Sequence, residues 1–383
     1  MTLRFLRLPS LSLVLALALA SLCATAHATQ DAPASAAAAA DGGRIAPWKP
    51  RAGRSRPVVA VVGENSGTEL VDFMIPYGVL ADSGVADVVA LGTAPGPLQF
   101  RPALRLQPQA TLADFDAGTP LGADYVVVPA VTQDKLHDPA LVAWLQAQSG
   151  KGATVVSICD GALVVANAGL FDGHRATGHW ATRAQREKEH PAAHWLRNVR
   201  YVADGNVVSS AGVSAAIPTS LALVEAIGGA EAAHRTAARL GAAGWDDRHD
   251  SDQFAIGAGI ALTYVGNRFL RSNEPVVVTL SDGVDDVALA LTLDAWGRTM
   301  RSAIAIEAPA GAPVHSSHGL TLLPSEAPTT PAVPAEARAL SIPAGPSLAA
   351  LDRALAEIGT RYGAATERYV GLEMEYAPAY TQH

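Results

Sequence analysis

The sequence predicts an α/β protein: a three-layer sandwich with a parallel sheet and a nucleophile elbow, followed by a smaller C-terminal α/β domain resembling the first half of the sandwich. Three observations predict it. Short Val-rich runs alternate with helix-like amphipathic runs, as strands buried on both faces alternate with crossover helices. One of those runs enters a Gly-containing turn at Cys159 and leaves it as a second helix-like run. The plan of the first half then recurs faintly near the C-terminus.

The elements follow in order. Val58-Val-Ala-Val-Val62 reads as a parallel strand. Thr68 to Gly84 reads as a helix, with Leu70, Phe73, Met74, Tyr77 and Leu80 spaced by three or four. Val85 to Gly92 is the next strand, and Leu98 to Leu112 alternates like a hairpin. Tyr125-Val-Val-Val-Pro129 is a third parallel strand, and Pro139 to Ser149 a helix stopped by Gly150. Thr154 to Ile158 carries the elbow, and Gly161 to Ala168 its helix. Arg200 to Ser209 holds two strand pieces around Asp204-Gly205-Asn206, and Ser214 to Ile227 is a helix ended by Gly228-Gly229. The apolar stretch Phe254 to Val265 is too short to span a bilayer, contains two glycines and is expected as a buried helix.

The repeat pairs Pro57-Val-Val-Ala-Val-Val62 with Pro275-Val-Val-Val-Thr-Leu280. A Gly-bearing acidic loop, a helix, a strand (Val85 to Leu91; Ala303 to Ile306) and a hairpin-like segment follow each. Each copy reaches a strand closing on Pro-Ala (Val126 to Ala130; Leu340 to Ala344), and the second then stops without a cysteine. The expected boundaries are a signal peptide over 1–28, a flexible leader over 29–56, the main domain over 57–272 and the smaller domain over 273–383.

Arg4 and Arg7, the apolar run Leu11 to Leu22 and Ala26-His27-Ala28 form a secretory signal, cleaved near Ala28. The mature chain is therefore expected in an exported compartment, the periplasm. Leu22 precedes Cys23 where a lipidation signal wants a small residue, so no lipid anchor is expected. The run is short for a span. A net charge of −8 argues against a nucleic-acid partner, which would call for a basic face.

The chain has two cysteines, and removal of the signal leaves Cys159 alone. A lone thiol in an exported chain forms no internal disulfide; it is either inert and buried or reactive. A strand–turn–helix corner exposes such a side chain at a helix N-terminus, which favours an anion. His190 and His194 are four apart but separated by Pro191, and Asp246 to Asp252 lacks the spacing of a calcium loop, so no metal is expected. No cofactor is expected either. His315 and His318 decorate a hairpin of the second domain.

The stretch from Cys159 continues Asp160-Gly-Ala, then Ala168-Gly-Leu-Phe-Asp-Gly-His-Arg-Ala-Thr-Gly-His-Trp180. Together with Leu70-Val-Asp-Phe-Met-Ile-Pro-Tyr-Gly-Val-Leu80 and Asp204-Gly-Asn-Val-Val-Ser-Ser-Ala-Gly-Val-Ser-Ala215, it resembles the ThiJ/PfpI superfamily, with its class I glutamine amidotransferase-like, flavodoxin-like fold. The nearest branch holds isocyanide hydratases and the ligand domains of AraC-type regulators. The resemblance covers 57–229. It implies that Cys159 is the nucleophile, that Asp72 is the acid approaching the thiol from the first helix, and that His179 is a partner. Backbone N–H groups of Ala130 and Asp160 would form the oxyanion corner.

This chain departs from the pattern at four places. Pro129-Ala130-Val131 replaces a Pro-Gly-Gly corner, Asp160 replaces a small residue or Thr, Ile75 replaces Gly, and Pro218 replaces the regulators' Asp. A regulator's DNA-binding half is missing.

The resemblance implies an exported cysteine-dependent hydrolase or hydratase acting on a small electrophile such as an isocyanide or amide. The alternative is a non-catalytic ligand-binding or oxidant-sensing module. A cysteine peptidase is a weaker third reading. Family members commonly dimerise, so either a homodimer or an intrachain pseudo-dimer is expected.

Overall fold

The computed structural model describes residues 42–376, apart from 52, 243, 244, 246, 247 and 327–336. The signal peptide, Cys23 and the first part of the leader lie outside the described residues.

Seven strands form the central sheet. Valines and other apolar residues on alternate positions supply both of its faces. The strands are β1 (Val58–Gly63), β2 (Asp87–Gly92), β3 (Ala110–Thr111), β4 (Tyr125–Val128), β5 (Thr154–Ser157), β6 (Tyr201–Asp204) and β7 (Val207–Ser210). Their order is β6-β7-β5-β4-β1-β2-β3. All neighbours are parallel except the β6–β7 hairpin, which turns at Gly205. Val59, Val61, Val127 and Val156 enter one core, and Ala60, Val62, Val126 and Val155 enter the other.

The first core lies under helices α1 (Leu70–Ser83), α4 (Ala216–Gly228) and α5 (Ala230–Leu240), and the second under α2 (Pro139–Gly150) and α3 (Gly161–Asn167). Helix α1 starts where the Glu69 carboxylate accepts from the Val71 and Asp72 N–H groups, and stops at Gly84 in a left-handed conformation.

The repeat appears as a second parallel sheet in the order β9-β8-β10. Its strands are β8 (Glu274–Thr279), β9 (Ser302–Glu307) and β10 (Arg338–Leu340). Helices α6 (Asp286–Arg298), α7 (Ala349–Tyr362) and α8 (Ala364–Glu373) accompany it.

This second half does not separate as its own compact unit: residues 39–383 cluster together. Its apolar side chains on α6 and α7 join the first core. Gly78 on α1 lets α6 approach, since a Cβ there would lie 2.9 Å from Val287 Cγ2. The hairpins of the two halves also share one five-stranded sheet, in which Arg105–Gln107 pairs antiparallel with Thr321–Leu323.

Two expectations need correction. The later part of the leader is packed: Gly42 O accepts from the Ala203 N–H, and the Arg51 and Arg54 guanidiniums pair with the nearly buried Asp124. Ala/Pro/Gly composition hid these long-range partners. The helix expected within 254–265 forms as Ala258–Val265, but it is not buried: Ile260 is covered, whereas Leu262 is 72% exposed.

Candidate functional site

Strand β5 delivers Cys159 at a corner where β5 gives way to α3. Cys159 has φ 55°, a conformation that costs a non-glycine residue about 1–2 kcal/mol. The corner is tight, because a Cβ on Gly161 would fall 2.1 Å from Val128 O. Ser210 Oγ on β7 accepts from the Cys159 N–H at 3.3 Å. A strained, buried cysteine tied to β7 at a tight strand–helix corner is the elbow the sequence predicts.

Asp72 comes from the first turn of α1 and is fully buried. Its Oδ2 accepts from the Ala130 N–H at 3.1 Å, while its Oδ1 has no hydrogen-bond partner. Burial, and then the neighbouring Glu69 carboxylate, push the Asp72 acid well above the usual range. Burial and Asp294 push Glu69 up to about 8, against the pull of Arg298. Arg298, from the end of α6, lies 2.5 Å from Glu69 Oε1 and 2.7 Å from Asp294 Oδ2. Burial works against its charge, but Asp294, Glu69 and Glu373 outweigh it.

Burial raises the Cys159 thiol well above its ordinary range, and Asp72, Asp160, Glu69 and Glu375 raise it further. The expectation that the helix N-terminus favours thiolate therefore does not hold at rest. Helix α3 has seven residues, and Asp160 occupies its N-cap position without a side-chain cap bond, placing a carboxylate at the positive end of the dipole. Asp72 and Cys159 both favour their protonated forms.

His179 is nearly buried, and its Nε2 has no hydrogen-bond partner. One nitrogen of its ring, the Cys159 Sγ and a carboxylate oxygen of Asp160 all lie within 4.8 Å of one another. That triangle has the donor types of a soft divalent-metal site. Asp160, however, already accepts from Thr182 Oγ1 at 2.5 Å and lies 3.8 Å from the buried Arg186 guanidinium. A cation of the protein's own already serves this carboxylate.

Sequence reasoning missed Glu375 and His249. Glu375 stands just after α8, and its side chain is fully buried. Its carboxylate accepts from the Trp180 N–H at 3.1 Å and the Gly212 N–H at 2.9 Å, and lies 2.9 Å from His249 Nε2 and 3.8 Å from His179 Nε2. Burial opposes its charge, but His249, His179 and the Gly212 N–H outweigh it and lower its pKa. Gly212 is required there, because a Cβ would lie 2.5 Å from Glu375 Cδ. No local spacing signals a carboxylate almost 200 residues from its histidine.

The structure thus brings Cys159, Asp72, His179 and Asp160 together. Of the two expected oxyanion donors, Ala130 spends its N–H on Asp72, and Asp160 keeps an N–H with no partner among the described residues. His190 and His194 form no metal cluster among the described residues. His318 is more than a hairpin decoration: its Nδ1 lies 2.5 Å from Asp286 Oδ2.

The DJ-1/PfpI family model matches residues 58–226, which span the elbow, Asp72 and His179. Over these residues the chain is similar to that family. It is similar to the isonitrile hydratase of Pseudomonas putida, at 29% identity over 169 residues, covering 43% of this chain and 69% of the hydratase. It is also similar to the HTH-type transcriptional regulator CdhR of Pseudomonas aeruginosa, at 32% identity over 147 residues, covering 37% of this chain and 44% of the regulator. Among solved structures, Drosophila melanogaster DJ-1beta aligns with TM-score 0.45 and 22% identity, covering 49% of this chain and 99% of that one. The DJ-1/PfpI segment ends within α4, so Arg298, Glu375 and His249 reach the site from outside it.

Proposed function

We propose that this protein is an exported cysteine-dependent hydrolase or hydratase for a small, nitrogen-containing electrophile. One observation carries the reading: a strained elbow thiol faces a histidine with an unpartnered nitrogen, beside a buried acid with an unpartnered oxygen. Cys159 Sγ attacks the electrophilic carbon, forming a C–S bond, and its proton passes to His179. Asp72, held protonated by burial, gives its proton to the substrate atom that gains the electron pair, the terminal carbon of an isonitrile or the oxygen or nitrogen of an amide. Water then adds to the same carbon, the C–S bond breaks, and Cys159 and Asp72 regain their protons. The net change is hydration, or hydrolysis where a leaving group departs. Glu375 holds the charge that His179 acquires in passing.

A neutral resting thiol suits this scheme, because the proton moves only once substrate is bound. The similarity to an isonitrile hydratase supports a small carbon–nitrogen substrate. The test is a panel of small isonitriles and amides with product release followed over time. Many products per chain, lost in Cys159→Ser, is the expected result; no product, or one per chain, overturns the reading.

A second reading is a ligand-binding module without turnover. It is favoured by the engagement of the Ala130 N–H with Asp72, which leaves a single oxyanion donor, and by the likeness to a regulator. Oxidant sensing is disfavoured by a thiol held protonated. In either reading the second half stands as an intrachain partner, through the α1–α6 contact and the shared hairpin sheet. Sedimentation of an ordinary homodimer built on α1 would count against that role.

A further inference from the structure

The described surface exposes six large apolar side chains, and five of them fall within 256–270. Ile256 is 63%, Leu262 72%, Phe269 58% and Leu270 78% exposed, with Val265 beside them. Ile256 stands just before the helix Ala258–Val265, and the other four ride on that helix and its wider last turn, Gly266–Leu270. This segment is anchored from its other side. Asn267 is buried and donates to Thr299 O at 3.0 Å and Thr366 Oγ1 at 3.1 Å, and the Tyr264 ring lies 6.1 Å from that of Tyr369. The apolar face is therefore presented by a clamped helix, not by a frayed end.

Its charge differs from that of the rest of the chain. Between Gln253 and Asn273 stand Arg268 and Arg271 and no acid, in a protein of net charge −8. The Arg268 guanidinium lies 5.7 Å over the Phe269 ring, so a cation travels with the apolar face, as in side chains that bury a stem and lift a charge to a headgroup layer. The run is too short to cross a bilayer, which takes about 20 residues. Its exposed apolar side chains stand beside two arginines, the combination with which a segment lies in the interface plane of an anionic membrane. A two-fold contact between copies would instead gather the arginines of both chains at a seam whose own segment offers no acid to meet them.

We propose that residues 256–270 dock this protein onto an anionic lipid surface, with Leu262, Val265, Phe269 and Leu270 entering the acyl boundary and Arg268 and Arg271 meeting the headgroups. The test uses the full chain carrying Leu262→Cys, Cys23→Ser and Cys159→Ser, labelled with an environment-sensitive fluorophore. It is mixed with phosphatidylcholine vesicles with and without phosphatidylglycerol. The expected result is a blue-shifted, brighter emission on the anionic vesicles alone, reversed by salt. Phe269→Ser with Leu270→Ser should weaken binding about a hundredfold, from the apolar area lost, and Arg268→Gln with Arg271→Gln should remove the preference for anionic lipid. Three outcomes overturn the proposal. The probe can stay unshifted while the protein sediments with vesicles through another segment. It can shift with protein concentration in the absence of lipid, which assigns the face to a second copy. It can also be shielded at high dilution without lipid, which assigns the face to the chain's own N-terminal apolar run.

Discussion

The two halves of the chain start alike and end differently. Helices α1 and α6 each follow a strand and each open on an acidic N-cap, Glu69 in one and Asp285 in the other. Each also buries an aspartate in its first turn, Asp72 and Asp286. Asp286 is neutralised, because His318 lies 2.5 Å away and Ser317 donates at 3.1 Å. Asp72 receives a single backbone N–H and is near enough to Cys159 to help raise its thiol. A buried carboxyl with a cation beside it is structure, whereas one without is a stored proton. The first half went on to build an elbow. The second shows no elbow among the described residues and lends the site an arginine and a glutamate.

The largest expected effect breaks the comparison on the reactive side. Cys159→Ser should lower turnover at least about a thousandfold while thermal unfolding of the variant stays close to that of the parent. Glu375→Ala comes next. It leaves two buried N–H groups and two histidines without their carboxylate, so urea denaturation should show a loss of about 3–5 kcal/mol. Glu375→Gln should recover much of that stability but not the rate, which separates positioning from packing.

The structural pair is expected to be worth less, since His318 is partly exposed. His318→Gln should cost about 1–3 kcal/mol at pH 6. His318 rises to about 9: burial lowers it, and Asp286 and Asp82 overcome that. A raised histidine stabilises fully below its ordinary 6.5 and loses that contribution as pH climbs through 9. Glu69 acts with the same sign: raised to about 8, it keeps a proton that the unfolded chain releases near 4.5, so stability falls as pH rises between those values. Melting temperature should therefore decline from pH 6 to 9, and His318→Gln should flatten the decline. The smallest effect is Asp72→Asn, which removes an acid that burial penalises. Stability at pH 8 should be unchanged or higher by about 1 kcal/mol.

Much of this was legible in the sequence, for local reasons. The Val-rich runs, the 3–4 spacing of α1 and the turn after Cys159 are set by residues close in sequence, and they put Cys159 at the turn after β5 and Asp72 on α1. Arg298, His249 and Glu375 were not legible, because each reaches the site by a long-range contact that no spacing encodes. The direction of the thiol's shift was not legible for the same reason: the dipole of α3 is local, whereas the burial that raises the thiol first, and the carboxylates that add to it, are set by the tertiary fold. The run 254–265 shows another limit, since apolar periodicity reports a face but not what covers it.

The account rests on Asp72 and Cys159 both being held protonated, each first by burial, Asp72 then by Glu69 and Cys159 then by Asp72. The direct measurement is the pH dependence of Cys159 alkylation in the parent chain and in Asp72→Asn. The expected result is an apparent thiol pKa above the ordinary 9.0, which falls when Asp72 becomes Asn. A thiol that alkylates as a thiolate below pH 7, or a profile that Asp72→Asn leaves in place, would contradict it.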